Sequence, residues 1–383
     1  MKSMLDKKLD KISDIWNHYI WEYKFCNSKI KFTPDVKSNY FGDILNYFSD
    51  TSNLIYGTKE TKNFTSNIEI SISFLQAIYI QQDFIEELLY IFKCNINKGD
   101  LKKDKNYSIN REIRNELIGH PIRKIDINGT RQLLSSTIFS NSTNAHQISY
   151  IKYQLANNYK FEEINHRRED ILNRHLVFTE KYFDIIISRL KNILFLFKKQ
   201  LQNIELTLST APFENILKTV SNSFEYFYRT DYLYKPETLL RIHTLKDSNE
   251  RYNSAIKKFY IELRKSLADT KDSIDDLIND TDRHSIEAEK SKVVIPKIII
   301  IEGDGKYKDN NLPISYDYEI GKLSEKDSIG KFRIFSSFLK TKCKENKLVI
   351  SEIENMEKNF DDDLEYYCSL HLIEEELSKR VKQ

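Results

Sequence analysis

Apolar residues recur at spacings of three and four along most of the chain, the period of helices with one buried face. Residues 2–27 show it with Leu5, Leu9, Ile12, Ile15, Trp16, Tyr19 and Tyr23. Thr33-Pro34-Asp35 reads as an N-cap followed by proline in the first turn, opening a short helix to about Phe48. A long helix is predicted over 62–94, with a stripe of Phe74, Ile78, Ile85, Leu89 and Phe92 that Gln82 interrupts. A charged loop, 97–107, leads to a helix from Ile109 to about Gly119, with Ser108 as N-cap, Gly119 as the C-terminal glycine and Pro121 blocking continuation.

The pattern then changes. Leu133 to Phe139, a Ser/Asn loop and Gln147 to Ile151 read as a β-hairpin. A long helix is predicted from about Phe161 to Asn203, and a seam falls at Leu206–Ala211, before Pro212. Helical stripes follow near 213–233, 247–280, 329–343 and 349–380. Val293 to Ile301 reads as an extended segment or edge strand, since it holds Pro296. The expected fold is all-α, mainly helical, with a small β-hairpin. Residues 1–205 form one helical domain, with its core at about 60–205, and residues 206–383 form a second helical region.

Composition narrows this further. Nine glycines and six prolines in 383 residues are too few for the turns of a sandwich, barrel or propeller. Cys26, Cys94, Cys343 and Cys368 are scattered, which argues against a disulfide framework or zinc site and fits a cytoplasmic protein. No apolar run follows the first residues, so no signal peptide is expected. The most apolar stretch, Ile185 to Phe197, is broken by Arg189 and Lys191, so no membrane association is expected. The net charge of +2 is uninformative, but residues 98–131 hold roughly nine Lys and Arg against five Asp and Glu. That local excess makes Arg111, Arg123 and Lys124 candidate RNA contacts.

The informative segment is Arg111-Glu112-Ile113-Arg114-Asn115-Glu116-Leu117-Ile118-Gly119-His120-Pro121. It joins an Arg-Asn pair to a histidine at a helix end. An arginine grips phosphate oxygens bidentately and keeps its charge. A histidine titrates near neutrality and serves as acid or base. Spacing alone is a weak signal: Arg168 and His175 repeat it mid-helix, without the asparagine or glycine, and are expected on a solvated helix face.

Taken with its context, the segment resembles the active-site motif of the HEPN superfamily: Arg, four to six residues of which the first is polar, then His. The stretch Leu75-Gln76-Ala77-Ile78-Tyr79-Ile80-Gln81-Gln82-Asp83 resembles the companion helix of bacterial members. The resemblance spans about residues 60–205. It implies a metal-independent endoribonuclease that needs no cofactor, cuts tRNA or other cellular RNA, and acts as a toxin or abortive-infection effector with a possible antitoxin or activating partner. It implies Arg114, Asn115 and His120 as catalytic residues and Asp83, or else Glu86 or Glu87, as the group orienting Arg114. Six helical steps of about 100° leave His120 some 120° around the helix from Arg114. The family answers this with a homodimer whose two Arg-His sets share one cleft. Relatives modified by a partner nucleotidyltransferase carry Tyr two residues after the His; here that residue is Ile122.

Two other readings of the segment are a non-catalytic RNA- or nucleotide-binding module and a helical scaffold for a protein partner. On the scaffold reading, Arg114 is paired to Asp83 and His120 merely caps a helix. Asp361-Asp362-Asp363 with Glu365 and His371 is read as a helix's N-terminal and outer face rather than a metal site. Gly303-Asp304-Gly305 is a lone turn, and no GxGxxG, Walker or GxSxG pattern is present.

Overall fold

In a computed structural model, the structure describes residues 2–57, 61–97, 99–224, 235–281 and 316–381. Val293–Ile301 and Gly303–Gly305 lie outside them. The described residues are mainly helical, with one four-stranded antiparallel sheet. The chain divides into two compact units, Met1–Leu194 and Phe195–Gln383. The boundary falls inside a helix rather than at the expected seam, because that helix runs without a break over Arg168–Thr207.

In the first unit, α1 (Lys2–Ile15) ends in a wide turn, Trp16–Ile20. Trp16 stacks on Phe41 with ring centroids 4.0 Å apart. Helix α2 (Phe41–Tyr56) precedes α3 (Phe64–Ile91), capped by the Asn63 side chain. Helix α3 buries residues on several faces, since α2, a following helix and the sheet all pack around it. Its two central glutamines are buried and bonded. Gln81 donates to the Phe48 carbonyl at 3.0 Å, and Gln82 to the Tyr107 carbonyl at 3.3 Å.

Helix α4 (Lys105–Arg114) starts earlier than expected, because Asp104, not Ser108, is its cap: the carboxylate accepts from Asn106 N–H. A π-helical turn, Asn115–Gly119, completes it. Strands β1 (Ile122–Ile127), β2 (Thr130–Phe139), β3 (Gln147–Gln154) and β4 (Phe161–Arg167) then pair in sequence order. The expected hairpin is the β2–β3 pair. Residues 161–167, expected to be helical, instead form β4, and α5 (Arg168–Thr207) begins only after them. Alternation in Phe161–Arg167 reports the strand: Ile164 and His166 face inward while their neighbours are exposed. Ile148 and Tyr150 of β3 meet Phe74, Ala77 and Ile78 of α3, Ile113 of α4 and Ile171 of α5 in one core. Each of the isoleucines and Phe74 contributes about 1.5–3 kcal/mol when fully buried.

The second unit begins at Phe195 within α5 and continues with α6 (Phe213–Ser223), α7 (Pro236–Leu245) and α8 (Glu250–Asn279). Among the described residues four more helices follow: α9 (Asp317–Ser324), α10 (Ile329–Lys342), α11 (Lys347–Lys358) and α12 (Asp363–Val381). Their core gathers Leu323, Phe332, Leu339, Ile353, Met356, Tyr366 and Ile373. Asp362 accepts from Leu364 N–H at the start of α12, Asp363 pairs with Lys326, and His371 meets Lys258 and Glu374. These acids thus serve the helix start and interhelical contacts. No helix among the described residues is long and apolar enough to cross a membrane, and all four cysteines are buried and outside any disulfide.

Candidate active site at the end of helix α4

Spacing along α3 puts Gln76, Tyr79 and Asp83 on one face, and spacing of three along α4 puts Arg111 and Arg114 on the face opposite. The Tyr79 ring carries both guanidinium groups, Arg111 at 3.9 Å and Arg114 at 4.1 Å from its centroid. Asp83 accepts from Arg111 Nη1 at 2.6 Å. The expectation that Asp83 orients Arg114 is therefore corrected: it is spent on the neighbour one turn earlier, and Arg111 is not a free phosphate contact.

Arg114 is held by amide oxygens instead. Its Nε donates to Gln76 Oε1 and its Nη1 to Asn115 Oδ1, each at 3.1 Å. No carboxylate among the described residues pairs with it. A half-buried guanidinium fixed by neutral acceptors keeps its full positive charge available to an anion. Asn115 thus holds the arginine.

The π turn explains Gly119. The His120 N–H donates to the Asn115 carbonyl at 2.7 Å, an i→i+5 closure. This wide turn lays residue 119 over residue 114. A Cβ on Gly119 would stand 2.6 Å from Arg114 Nη1 and 3.3 Å from Asn115 Oδ1. The glycine is there for close approach of the guanidinium, not for the left-handed cap expected from its position, and its φ is not in the positive range. His120 follows with φ −143° and is exposed, so the chain leaves the helix with an imidazole facing solvent.

Glu116, on the inward side of this turn, was missed from the sequence. Its side chain is only 5% exposed, and it accepts from Arg123 and Lys152 at 2.5 Å each and from the Tyr150 hydroxyl at 2.7 Å. Burial works against its charge, but the hydrogen bonds from Lys152, Tyr150 and Arg123 prevail and hold the carboxyl below its ordinary range. Tyr150 is correspondingly pushed up, by burial and then by Glu116. The Glu116 carbonyl also takes the Thr137 hydroxyl at 2.5 Å. Strands β1, β2 and β3 are thereby tied to the helix end. Arg123, expected to touch RNA, is committed to this anchor, whereas Lys124, next along β1, is exposed. Gln76 and Tyr79 were also missed; their signal was a polar or amphipathic residue once per turn on the otherwise apolar α3.

The second Arg-His set faces the core rather than solvent, with Arg168 half-buried and His175 fully buried. Arg168 lies over the Phe74 ring at 4.3 Å. His175 is fully buried with Nε2 2.8 Å from Gln81 Oε1, and burial lowers its pKa to about 3. A separate cleft of about 720 Å³, lined by Asp83, Glu86, Glu87, Lys31 and Lys93, is mixed in charge and includes neither Arg114 nor His120. Among the described residues no three His, Cys, Asp or Glu side chains gather as a metal-holding group.

No family model, curated protein or solved structure matches this chain.

Proposed function

We propose that the protein is a HEPN-type endoribonuclease working without metal or cofactor, with Arg114, Asn115 and His120 at its centre. The observation that carries the reading is Arg114: a guanidinium fixed by Gln76, Asn115 and Tyr79, without a carboxylate, beside an exposed histidine at a helix end. In the proposed reaction a base removes the proton of the RNA 2′-hydroxyl, whose oxygen attacks the adjacent phosphorus. The 5′-oxygen leaves as it gains a proton, giving a 2′,3′-cyclic phosphate and a 5′-hydroxyl. Arg114 offsets the charge gathering on the phosphoryl oxygens. The reaction uses one base and one acid, and the proposed site in one chain offers one exposed imidazole. A homodimer supplies two, which is why we infer a shared cleft. The cellular role that fits is a cytoplasmic toxin or abortive-infection effector, with an antitoxin or activating partner restraining it.

The test is to incubate the protein and its His120→Ala variant with total tRNA and mRNA in EDTA and map the RNA ends. Cleavage by the wild type alone, leaving 2′,3′-cyclic phosphates, is the expected result. RNA binding without cleavage by either would favour the non-catalytic binding module, for which the Arg114 anion cradle suffices. Neither binding nor cleavage would overturn both. A monomer that retains full activity on dilution would overturn the shared cleft.

A further inference from the structure

The sheet has two unlike faces. Its inner face is consumed by the core, through Ile148 and Tyr150. On the outer face, strand register lines up Ile122, Ser136, Tyr153 and Phe161, one from each strand, as successive cross-strand partners. Both ends of this row are open to solvent: Ile122 is 64% exposed and Phe161 77%. The Tyr153 ring is flanked by Tyr159, stacked at 4.9 Å, and Phe161, tilted at 5.2 Å.

This aromatic group is built at a cost. Asn158 and Tyr159 are consecutive residues at φ +56° and +57°. For a bulky side chain that backbone is unfavourable, by about 1–2 kcal/mol. Tyr159 is fixed in it by its hydroxyl, which donates to the Leu133 carbonyl at 2.7 Å. Strain held in place by specific bonds points to a use for the ring it positions.

Charge selects the occupant. Lys124 shares the outer side of β1 with Ile122, Arg131 stands across from Asp126 in the β1–β2 register without an ion pair to it, and Lys160 stands between Tyr159 and Phe161. All three cations are exposed, and none has a carboxylate partner among the described residues. The acids on the same side are Asp126 and Glu163, and Glu163 already accepts from Ser140 at 2.6 Å. An exposed ring, Phe161, backed by the half-buried Tyr153 and Tyr159 and set among exposed cations, offers what unpaired nucleotides need: stacking for bases and charge for phosphates. The row also starts two residues after His120. Three interstrand steps carry it about 14 Å to Phe161, the reach of a few nucleotides.

We infer that the outer face of the sheet is a stacking platform for single-stranded RNA, holding unpaired bases that flank the phosphate at Arg114 and His120. This rests on the ribonuclease reading and names what that site recognises: an unpaired RNA segment, not a duplex.

The test uses the full chain carrying His120→Ala, so that RNA survives, and a fluorescently labelled eight-nucleotide single strand read by anisotropy. Adding Phe161→Ala or Tyr153→Ala should weaken binding roughly tenfold each, and Phe161→Trp should restore it. Replacing single bases by abasic sugars should find a position whose loss weakens the parent protein equally but costs the Phe161→Ala protein nothing. A merely structural role for Phe161 gives no such coincidence. A duplex of the same sequence should bind without regard to Phe161. If single-stranded RNA binds equally well to all variants, the platform is overturned while the ribonuclease reading stands. If Phe161→Ala changes oligomeric state and leaves RNA affinity alone, the face is a protein contact and the platform is again overturned. If no RNA binds and the wild type cleaves none, the ribonuclease reading falls and the platform with it.

Discussion

The chain carries an arginine and a histidine at similar spacing twice, both within the first unit, and the two sets meet opposite fates. Both arginines lie over an aromatic ring of α3, Arg114 over Tyr79 and Arg168 over Phe74. The histidines differ. His175 lies seven residues beyond Arg168 on an unbroken helix, so the two share a face, and that face is turned to the core. His120 lies six residues beyond Arg114 across a π turn that ends the helix, which delivers the ring to solvent. Similar spacing thus carries no fixed chemistry. The termination of the helix between the two residues decides whether the pair is a packing device or an open site.

The largest effect expected is a crossed one. His120→Ala should lower RNA cleavage by roughly 10²–10⁴-fold and leave stability within about 0.5 kcal/mol of the wild type. His175→Ala should do the reverse, costing about 2–4 kcal/mol through a cavity and the lost Gln81 bond, with near-normal cleavage per folded molecule. Denaturant melts and cleavage assays on both variants decide it; equal loss of activity in the two would erase the distinction.

Next in size is Glu116→Gln, which leaves Arg123 and Lys152 without their anion. It should destabilise by on the order of 2–3 kcal/mol, less than a fully buried pair because Arg123 is a third exposed. A stability unchanged in urea would mean the helix end is not anchored from within.

The third concerns pH. The folded pKa of His175, about 3, lies below that of the unfolded chain. Between about pH 6.5 and 3 the unfolded state binds a proton that the folded state refuses, so stability falls by roughly 1.4 kcal/mol per pH unit on acidification. The slope difference between wild type and His175→Gln isolates this from the carboxylates; identical slopes would show that His175 protonates freely when folded.

The smallest effect on folding is expected from Gly119→Ala. The added methyl meets side-chain ends of Arg114 and Asn115 rather than backbone, and alanine suits a helix better than glycine, so stability should change by less than about 1 kcal/mol. Activity should still fall sharply, since the guanidinium must move. Full activity would show that its seat against residue 119 is dispensable.

Much of this was legible in the sequence, for identifiable reasons. Periodicity revealed α3 and the helix ending at Gly119, because their buried stripes and terminal Gly-His-Pro are local signals. The β2–β3 pair was legible through alternation. Strand β4 was not, because its most apolar residue, Phe161, lies on the open side and the strand runs directly into α5. Arg114, Asn115 and His120 were found by spacing, but their supports were not. Gln76 and Asp83 occupy one face of α3, and only the packing of α4 decides that the amide takes Arg114 and the carboxylate takes Arg111. Glu116 was hidden for a related reason: a charged residue in a charged segment reads as solvated until three strands fold beneath it.

The order of the strands carries a consequence for synthesis. Each strand pairs with its neighbour in the chain, and every side chain described around Arg114 and Glu116 precedes Leu194. Pairings this close in sequence close quickly, and domains tend to fold from the N-terminus as the ribosome releases them. One chain's half of the proposed catalytic centre is thus assembled in the nascent chain while the second unit is still being made. Pairing with a second copy then completes the shared cleft, and any restraint supplied by the second unit or by another protein would reach each new molecule only after its own half is already in place.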